Sequence, residues 1–183
     1  MVKPAGTGGF LDPESIVERF GIEEGMKIAD FGCGAGYFTI SLAEKTGPSG
    51  KVYALDILEN ALDSVRAKAR VSGLENIETI RTNLEIVGSS SLPDASQDIV
   101  LLANILFQSV KREDIFKEAR RVLKKEGRLI LIDWKKGTGG FGPPDNLRLD
   151  PAETQKTVPK QGFEFEGQLE AGTFHFGLVF KKP

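Results

Sequence analysis

Short apolar runs alternate with amphipathic stretches along most of this chain. Asp12-Pro13 forms an N-cap and N1 pair that predicts a helix to about Phe20. Met26 to Phe31 predicts a first strand, and a helical pattern follows from Tyr37 to about Lys45. A second strand is expected at about 51–55, after the Gly47-Pro-Ser-Gly50 turn. Leu58, Leu62 and Val65 fall on one stripe of a helix to Val71, with Ser72-Gly73 as its stop. A third strand is placed at about 76–81. Asp98 to Ala103 is a continuous apolar run of the kind found in a buried parallel strand. Arg112 to Lys124 reads as a helix and Gly127 to Asp133 as a fifth strand. Phe163–Leu169 and Thr173–Lys181 predict an antiparallel hairpin around Gly172. Phe174, Phe176, Leu178 and Phe180 share one face of its second strand, and His175 faces the other way, onto the surface or a pocket wall. The alternation argues for an α/β fold with a mainly parallel sheet and helices on both faces. A length of 183 residues predicts one domain over 1–183.

The first strand carries the chemistry. It runs into glycines at alternate positions, Gly32, Gly34 and Gly36, and then into a helix. Strand, glycine turn and helix form the layout of a nucleotide-type cofactor site, because glycine lets backbone approach a ligand closely. Tyr37 stands where the dinucleotide fingerprint needs glycine or alanine, and Asp30 ends the strand. An acid beside such a loop suits a cofactor with a cationic amino-acid head better than a diphosphate. Asp56 ends the second apolar run, where a carboxylate accepts the ribose hydroxyls of a bound nucleoside.

With these residues the chain resembles the class I S-adenosylmethionine-dependent methyltransferases, and within them the small enzymes similar to those of ubiquinone and menaquinone biosynthesis. The resemblance extends from about Leu11 to Lys182 and rests on Asp30–Gly36, Asp56, Asn83-Leu84, Asp98–Phe107 and Leu123–Asp133. It implies a Rossmann-like seven-stranded sheet of order 3-2-1-4-5-7-6 with the last strand antiparallel. It also implies S-adenosylmethionine as cofactor. Asp30, Gly32, Cys33, Gly34 and Gly36 would line the methionine side, with Asp30 meeting the ammonium directly or through water. Asp56 would take the ribose, and Ile57 and Leu84 would sandwich the adenine. Asn83 would donate to an adenine nitrogen or simply make a turn. Ala103 and Asn104 would lie beside the methionine moiety. Asn104, Phe107 and Gln108 are candidate acceptor contacts. Glu126 stands where the family usually has proline before Gly127, which reads as a neutral change in a turn. No N-P-P-Y or N-P-P-F sequence follows the fourth strand, which argues against the amide and adenine N-methyltransferase groups.

Composition narrows the picture further. The net charge of −2 gives no help to a nucleic-acid partner. One cysteine excludes an internal disulfide, and one cysteine with one histidine cannot build a zinc site alone; no metal is expected. Cys33 reads as a packing residue, with no base near it in sequence. The longest apolar run, about ten residues, is too short to span a bilayer, and the start lacks an apolar signal core, so a cytoplasmic protein is the default. Lys135-Lys136 reads as a solvated edge or an attractor for an anionic substrate.

Gly6–Phe10 and Gly137–Phe141 are the same pentapeptide in different surroundings, and both predict flexible loops. The second, continuing to Pro144, leaves the active edge of the fifth strand. It is expected to form a mobile lid over the acceptor, with Phe141 at its tip and Trp134 at its root. The short N-terminal segment and this short loop suggest an open site, or a lid completed by a second subunit of a homo-oligomer. The function expected is methyl transfer to a small-molecule or lipid- or quinone-like acceptor, with no catalytic residue assigned. A cofactor-binding module without turnover, acting as a partner or scaffold, is the alternative. A nicotinamide oxidoreductase is disfavoured by Tyr37 and the terminal hairpin.

Overall fold

The computed structural model describes residues 11–183, so the first glycine pentapeptide lies outside the described residues. Seven strands form one sheet: β1 (Lys27–Phe31), β2 (Lys51–Asp56), β3 (Ile77–Arg81), β4 (Gln97–Ala103), β5 (Leu123–Trp134), β6 (Glu164–Leu169) and β7 (His175–Lys181). Their order is β3-β2-β1-β4-β5-β7-β6, parallel except for β7, which runs antiparallel to both neighbours. Among the described residues five α-helices accompany them: α1 (Pro13–Val17), α2 (Thr39–Thr46), α3 (Glu59–Val71), α4 (Arg112–Val122) and α5 (Pro151–Thr157). None of the described helices is long and apolar enough to cross a membrane.

The continuous apolar run of β4 serves both faces, because successive side chains of a strand point to opposite sides. Ile99 and Leu101 pack with Val17 of α1 and Leu42 of α2. Val100 and Leu102 pack with Ile115, Ala119 and Val122 of α4. All four strand residues are fully buried. The sheet therefore has helices on each side, and strand order reverses between β1 and β4. Open α/β sheets bind ligands at such a switch point, beyond the carboxyl ends of the strands.

Local boundaries depart from the sequence pattern where tertiary bonds decide. Asp12 makes no side-chain cap; its carbonyl instead accepts the Ile16 N–H at 3.0 Å. The first helix finishes as a 3-10 turn, Glu18–Phe20. Residues 37 and 38 form a turn, and α2 starts at Thr39. Helix α4 stops at Val122, and β5 begins there, four residues ahead of the expected Gly127. Glu126 thus lies in an irregularity of β5 and not in a turn. Its φ is +63°, and its N–H donates to the Lys182 carbonyl at 2.8 Å. Proline could supply neither that φ nor that N–H, so the glutamate is suited to this backbone rather than neutral.

His175 is the clearest correction. It is not on the surface, being only 3% exposed. Alternation placed it opposite the phenylalanine face, and that face is covered here rather than open. Its ring lies 4.1 Å from that of Trp134, its partner on β5.

Candidate functional site

The glycine turn is built by backbone bonds to the neighbouring strand. The Gly32 and Cys33 N–H groups both donate to the Leu55 carbonyl, at 2.8 and 3.0 Å. The Gly34 N–H donates to Asp56 Oδ2 at 2.9 Å, and the Leu58 N–H donates to Asp56 Oδ1 at 2.9 Å. Asp56 therefore holds the glycine turn against the start of α3, with lone pairs left on both oxygens.

The three glycines do different work, although all have positive φ. A Cβ on Gly32 would lie 2.5 Å from Ile105 Cδ1, so this position admits close packing of the loop after β4. A Cβ on Gly36 would meet Val65 Cγ2 at 3.0 Å, so Gly36 lets α3 approach. A Cβ on Gly34 would meet no atom within 4 Å; it faces open space. Gly36 does not line the cavity described next, whereas Gly32 and Gly34 do.

That cavity, of about 680 Å³, lies at the carboxyl ends of β1, β2 and β4. The structure brings Asp30, Gly32, Cys33, Gly34 and Asp56 to its wall. Ile57, Asn83, Leu84, Ala103, Asn104 and Gln108 line it too. Phe107, Trp134 and Phe141 do not. Phe107 belongs to the 3-10 turn Leu106–Gln108, whose Gln108 reaches the wall. Sequence reasoning missed Tyr37, Phe38, Ala61, Thr82, Glu85 and Ser109, all of which line the cavity. Tyr37 and Phe38 carried a signal, since they follow the last glycine at the helix start. Glu85 and Ser109 carried none, because only the fold brings their two loops together: Ser109 Oγ donates to Glu85 Oε1 at 2.6 Å.

Asp30 is 2% exposed and accepts a 2.6 Å hydrogen bond from Thr39 Oγ1. Burial raises its carboxyl to about 7; the nearby Asp56 charge adds to the rise, and the Thr39 bond works against it. The Cys33 thiol is likewise pushed well up by burial and by the Asp30 and Asp56 charges, so it is a packing group without thiolate reactivity. Asn104 is a non-glycine residue at φ +56°, and its buried Oδ1 has no hydrogen-bond partner among the described residues. Asn83 Oδ1 accepts the Glu85 N–H at 3.0 Å, which makes an Asx turn after β3.

Asp133, 1% exposed, lies behind the site at the end of β5. It accepts the Leu106 N–H at 3.1 Å and the Trp134 N–H at 2.7 Å, and so fixes the loop after β4. Burial still holds its carboxyl up at about 6.

The Gly137–Pro144 segment is tied, not loose. Arg148 is 7% exposed, and its guanidinium donates to the Pro143 carbonyl at 2.9 Å, to Thr138 Oγ1 at 2.6 Å and to the Phe141 carbonyl. It also sits 5.5 Å over the Trp134 ring. Asp145 Oδ1 accepts the Gly137 N–H at 2.6 Å. Phe141 is 59% exposed and meets Phe174 edge-on at 6.0 Å. The segment runs beside the cavity without lining it.

A buried acid, an open glycine turn, a ribose-competent carboxylate and an asparagine with an unpartnered amide oxygen thus line one cavity. These groups fit S-adenosylmethionine: Gly34 leaves room for it, and Asp30 and Asn104 Oδ1 offer acceptors to its cationic end.

Comparison with known proteins gives the family. The profile of a family described as "Methyltransferase domain" matches residues 22–162. Demethylmenaquinone methyltransferase of Lactococcus lactis is 36% identical over 119 residues, which are 64% of this chain and 45% of that protein. The Geobacillus stearothermophilus enzyme of the same name is 33% identical over 125 residues, 68% of this chain and 52% of its own. The chain therefore spans about half the length of these curated relatives. A crystal structure of a SAM-dependent methyltransferase from Aquifex aeolicus superposes with a TM-score of 0.87 at 29% identity, covering 95% of this chain and 91% of that one.

Proposed function

This chain belongs to the methyltransferase domain family, and we propose that it transfers a methyl group from S-adenosylmethionine to a small, apolar, quinone-like acceptor. The observation that carries the cofactor reading is the convergence of Asp30, Gly34, Asp56 and Asn104 on one cavity at the β1/β4 switch point. When bound, S-adenosylmethionine supplies a methyl group activated on a sulfonium. The protein's own residues do the positioning. Asp56 keeps free lone pairs for the two ribose hydroxyls while its other contacts hold the turn. Ile57 and Leu84 flank the adenine with apolar surface, and the Asn83 side chain marks the adenine edge. Asp30 opposes the ammonium, which favours its carboxylate form once the cofactor is in place. Asn104, whose buried Oδ1 has no partner among the described residues, would offer an acceptor on the methionine side. Orientation and exclusion of water then supply the rate, with no general base assigned. The acceptor class is supported by the demethylmenaquinone methyltransferases among the relatives.

The test has two stages. S-adenosylhomocysteine should raise the melting temperature while NAD leaves it unchanged. Incubation with methyl-labelled S-adenosylmethionine and a panel of hydroquinones, phenols and unrelated amines should then give a labelled product from the hydroquinone or phenol group. Stabilisation by NAD and none by S-adenosylhomocysteine would overturn the cofactor reading. Labelling of amines alone would overturn the acceptor.

A further inference from the structure

Asp133 is a buried acid to which the cofactor reading gives no part. It lies behind the cofactor cavity at the end of β5 and is 1% exposed. Burial holds its carboxyl up at about 6, so at neutral pH it still carries a charge in the interior. An interior charge costs stability unless hydrogen bonds offset it, and the bonds of Asp133 lead to the cavity wall.

Oδ2 accepts the Leu106 N–H at 3.1 Å, and Oδ1 accepts the Trp134 N–H at 2.7 Å. The Leu106 carbonyl is held from α4, where Arg112 Nε donates to it at 2.7 Å. Two residues earlier, the Asn104 N–H donates to the Ile132 carbonyl of β5 at 2.8 Å. The backbone is therefore fixed at 104 and at 106, on either side of Ile105. The Ile105 side chain occupies the space that a Cβ of Gly32 would need, with its Cδ1 only 2.5 Å from that position. Asn104, Ile105 and Gly32 all line the cofactor cavity. The hold of Asp133 thus ends, through Leu106 and Ile105, on the first glycine of the turn.

We propose that Asp133 is a positioning residue of the cofactor site: through Leu106 it holds Ile105 against Gly32, and so sets how closely the loop after β4 approaches the glycine turn where both line the cavity. A carboxylate suits this task because each of its oxygens meets one N–H. An asparagine would set its own amide N–H groups against one of them. Gly32 is the other half of the arrangement, because a side chain there would push Ile105 away. The effect on cofactor affinity rests on the S-adenosylmethionine reading, whereas the contact of Ile105 with Gly32 stands without it.

The contact is read first, without ligand. In the wild type the Ile105 δ-methyl should give a strong NOE to the Gly32 α-protons, and Asp133→Asn should weaken it several-fold. Arg112→Met, which frees the Leu106 carbonyl, should weaken it too, and takes the place of Asp133→Asn in both measurements where that variant does not fold. The site is then read by a double-mutant cycle on S-adenosylhomocysteine affinity, with calorimetry above the titration range of Asp30 and Asp133. Asp133→Asn and Ile105→Ala should each weaken binding by about tenfold. The double variant should be little weaker than either, because both changes break one chain of contacts. An aspartate that served stability alone would lower the melting temperature and leave the two effects to multiply, toward about a hundredfold. Multiplying effects, wild-type affinity in Asp133→Asn, or an unchanged NOE would overturn the assignment. Failure of S-adenosylhomocysteine to bind the wild type would sink the cofactor reading instead, and the NOE would then decide alone whether Asp133 holds Ile105 on Gly32.

Discussion

Asp56 Oδ2 accepts the Gly34 N–H at 2.9 Å, so the carboxylate expected to face only a ribose is also a structural tie of the glycine turn. Its second oxygen accepts the Leu58 N–H at the same distance. The two roles are compatible, because a carboxylate has lone pairs for about four bonds. They make the site self-supporting: the residue that would read the nucleoside also fixes the loop that would admit the methionine.

Asp56→Ala should therefore do more than weaken a ligand contact. Loss of a charged acceptor for the ribose should cost roughly 1.5–3 kcal/mol of binding, or one to two decades in affinity at about 1.4 kcal/mol each. Loss of the two ties should lower folding stability by about 1–3 kcal/mol as well. Calorimetry with S-adenosylhomocysteine and urea unfolding measure the two separately. Asp56→Asn, which keeps an acceptor of the same shape, should recover most of the stability and less of the affinity.

The glycines predict a contrast. Gly34→Ala should fold with a modest penalty of about 1–2 kcal/mol for its left-handed backbone, since nothing obstructs its Cβ, and should lose most cofactor affinity because that Cβ enters the ligand's space. Gly36→Ala adds a 3.0 Å contact with Val65 to the same backbone strain. It should be the less stable protein yet keep the higher affinity. Thermal melts with and without S-adenosylhomocysteine would show whether the two orders cross.

Asp30 predicts a proton linkage. Its carboxyl titrates near 7 when the cavity holds no cation, and a bound sulfonium and ammonium would favour the ionised form. Cofactor affinity should rise with pH through about 7 and level off above it, with proton release on binding below that point. Calorimetry in two buffers of different ionisation enthalpy reads the released protons directly. Asp30→Asn should abolish that buffer dependence; an unchanged dependence would place the linkage elsewhere.

His175 adds a stability contribution that grows with pH. Burial, with the Arg148 charge adding to it, lowers its pKa to about 4, while the unfolded chain titrates near the ordinary 6.5. Between those values the unfolded state binds more protons, so its contribution is present above 6.5 and is lost as pH falls toward 4, by up to about 3 kcal/mol. Asp30 and Asp133 have raised values and act the other way, losing stability as pH rises. Wild-type stability minus that of His175→Phe, followed across pH 4–7, isolates the histidine, and it should fall toward acid.

Much of this fold was readable because it rests on local rules. Alternate glycines after an apolar run mark a tight strand-to-helix turn, although only the structure shows that Gly34 is the open one, and the unbroken apolar run of β4 marks a central strand with helices on both sides. Asp30, Asp56, Ala103 and Asn104 lie at or beside strand ends that the alternation sets, and the structure brings them to one cavity; the roles given to them came from the family resemblance. What was not readable depends on residues distant in sequence. Alternation assigns His175 a face but cannot say that the Trp134 ring of β5 will lie against it. The glycine-rich stretch after β5 reads as mobile because nothing within it binds it; its tie is Arg148, beyond the end of the loop. The Glu85–Ser109 bond joins two loops 24 residues apart, and neither announces the other.

Arg148 yields the last prediction. A nearly buried guanidinium normally has a carboxylate beside it, but this one is satisfied by the Pro143 and Phe141 carbonyls, by Thr138 and by the Trp134 ring. Its planar fork reaches three points of the segment at once, which a lysine's single ammonium cannot do. Arg148→Lys should keep the charge and lose the organisation of residues 137–144. Trp134 would lose its covering guanidinium, and Gly142, now packed so that a Cβ would fall 2.5 Å from that ring, would separate from it. Limited proteolysis should then cut within 137–142 several-fold faster than in the wild type, and Trp134, the only tryptophan of the chain, should show red-shifted emission. S-adenosylhomocysteine affinity should hardly change, because neither Arg148 nor this segment lines the cofactor cavity. Equal cleavage rates in the two proteins would mean that the segment is held by its proline and aromatic contacts, and that the arginine only fills space.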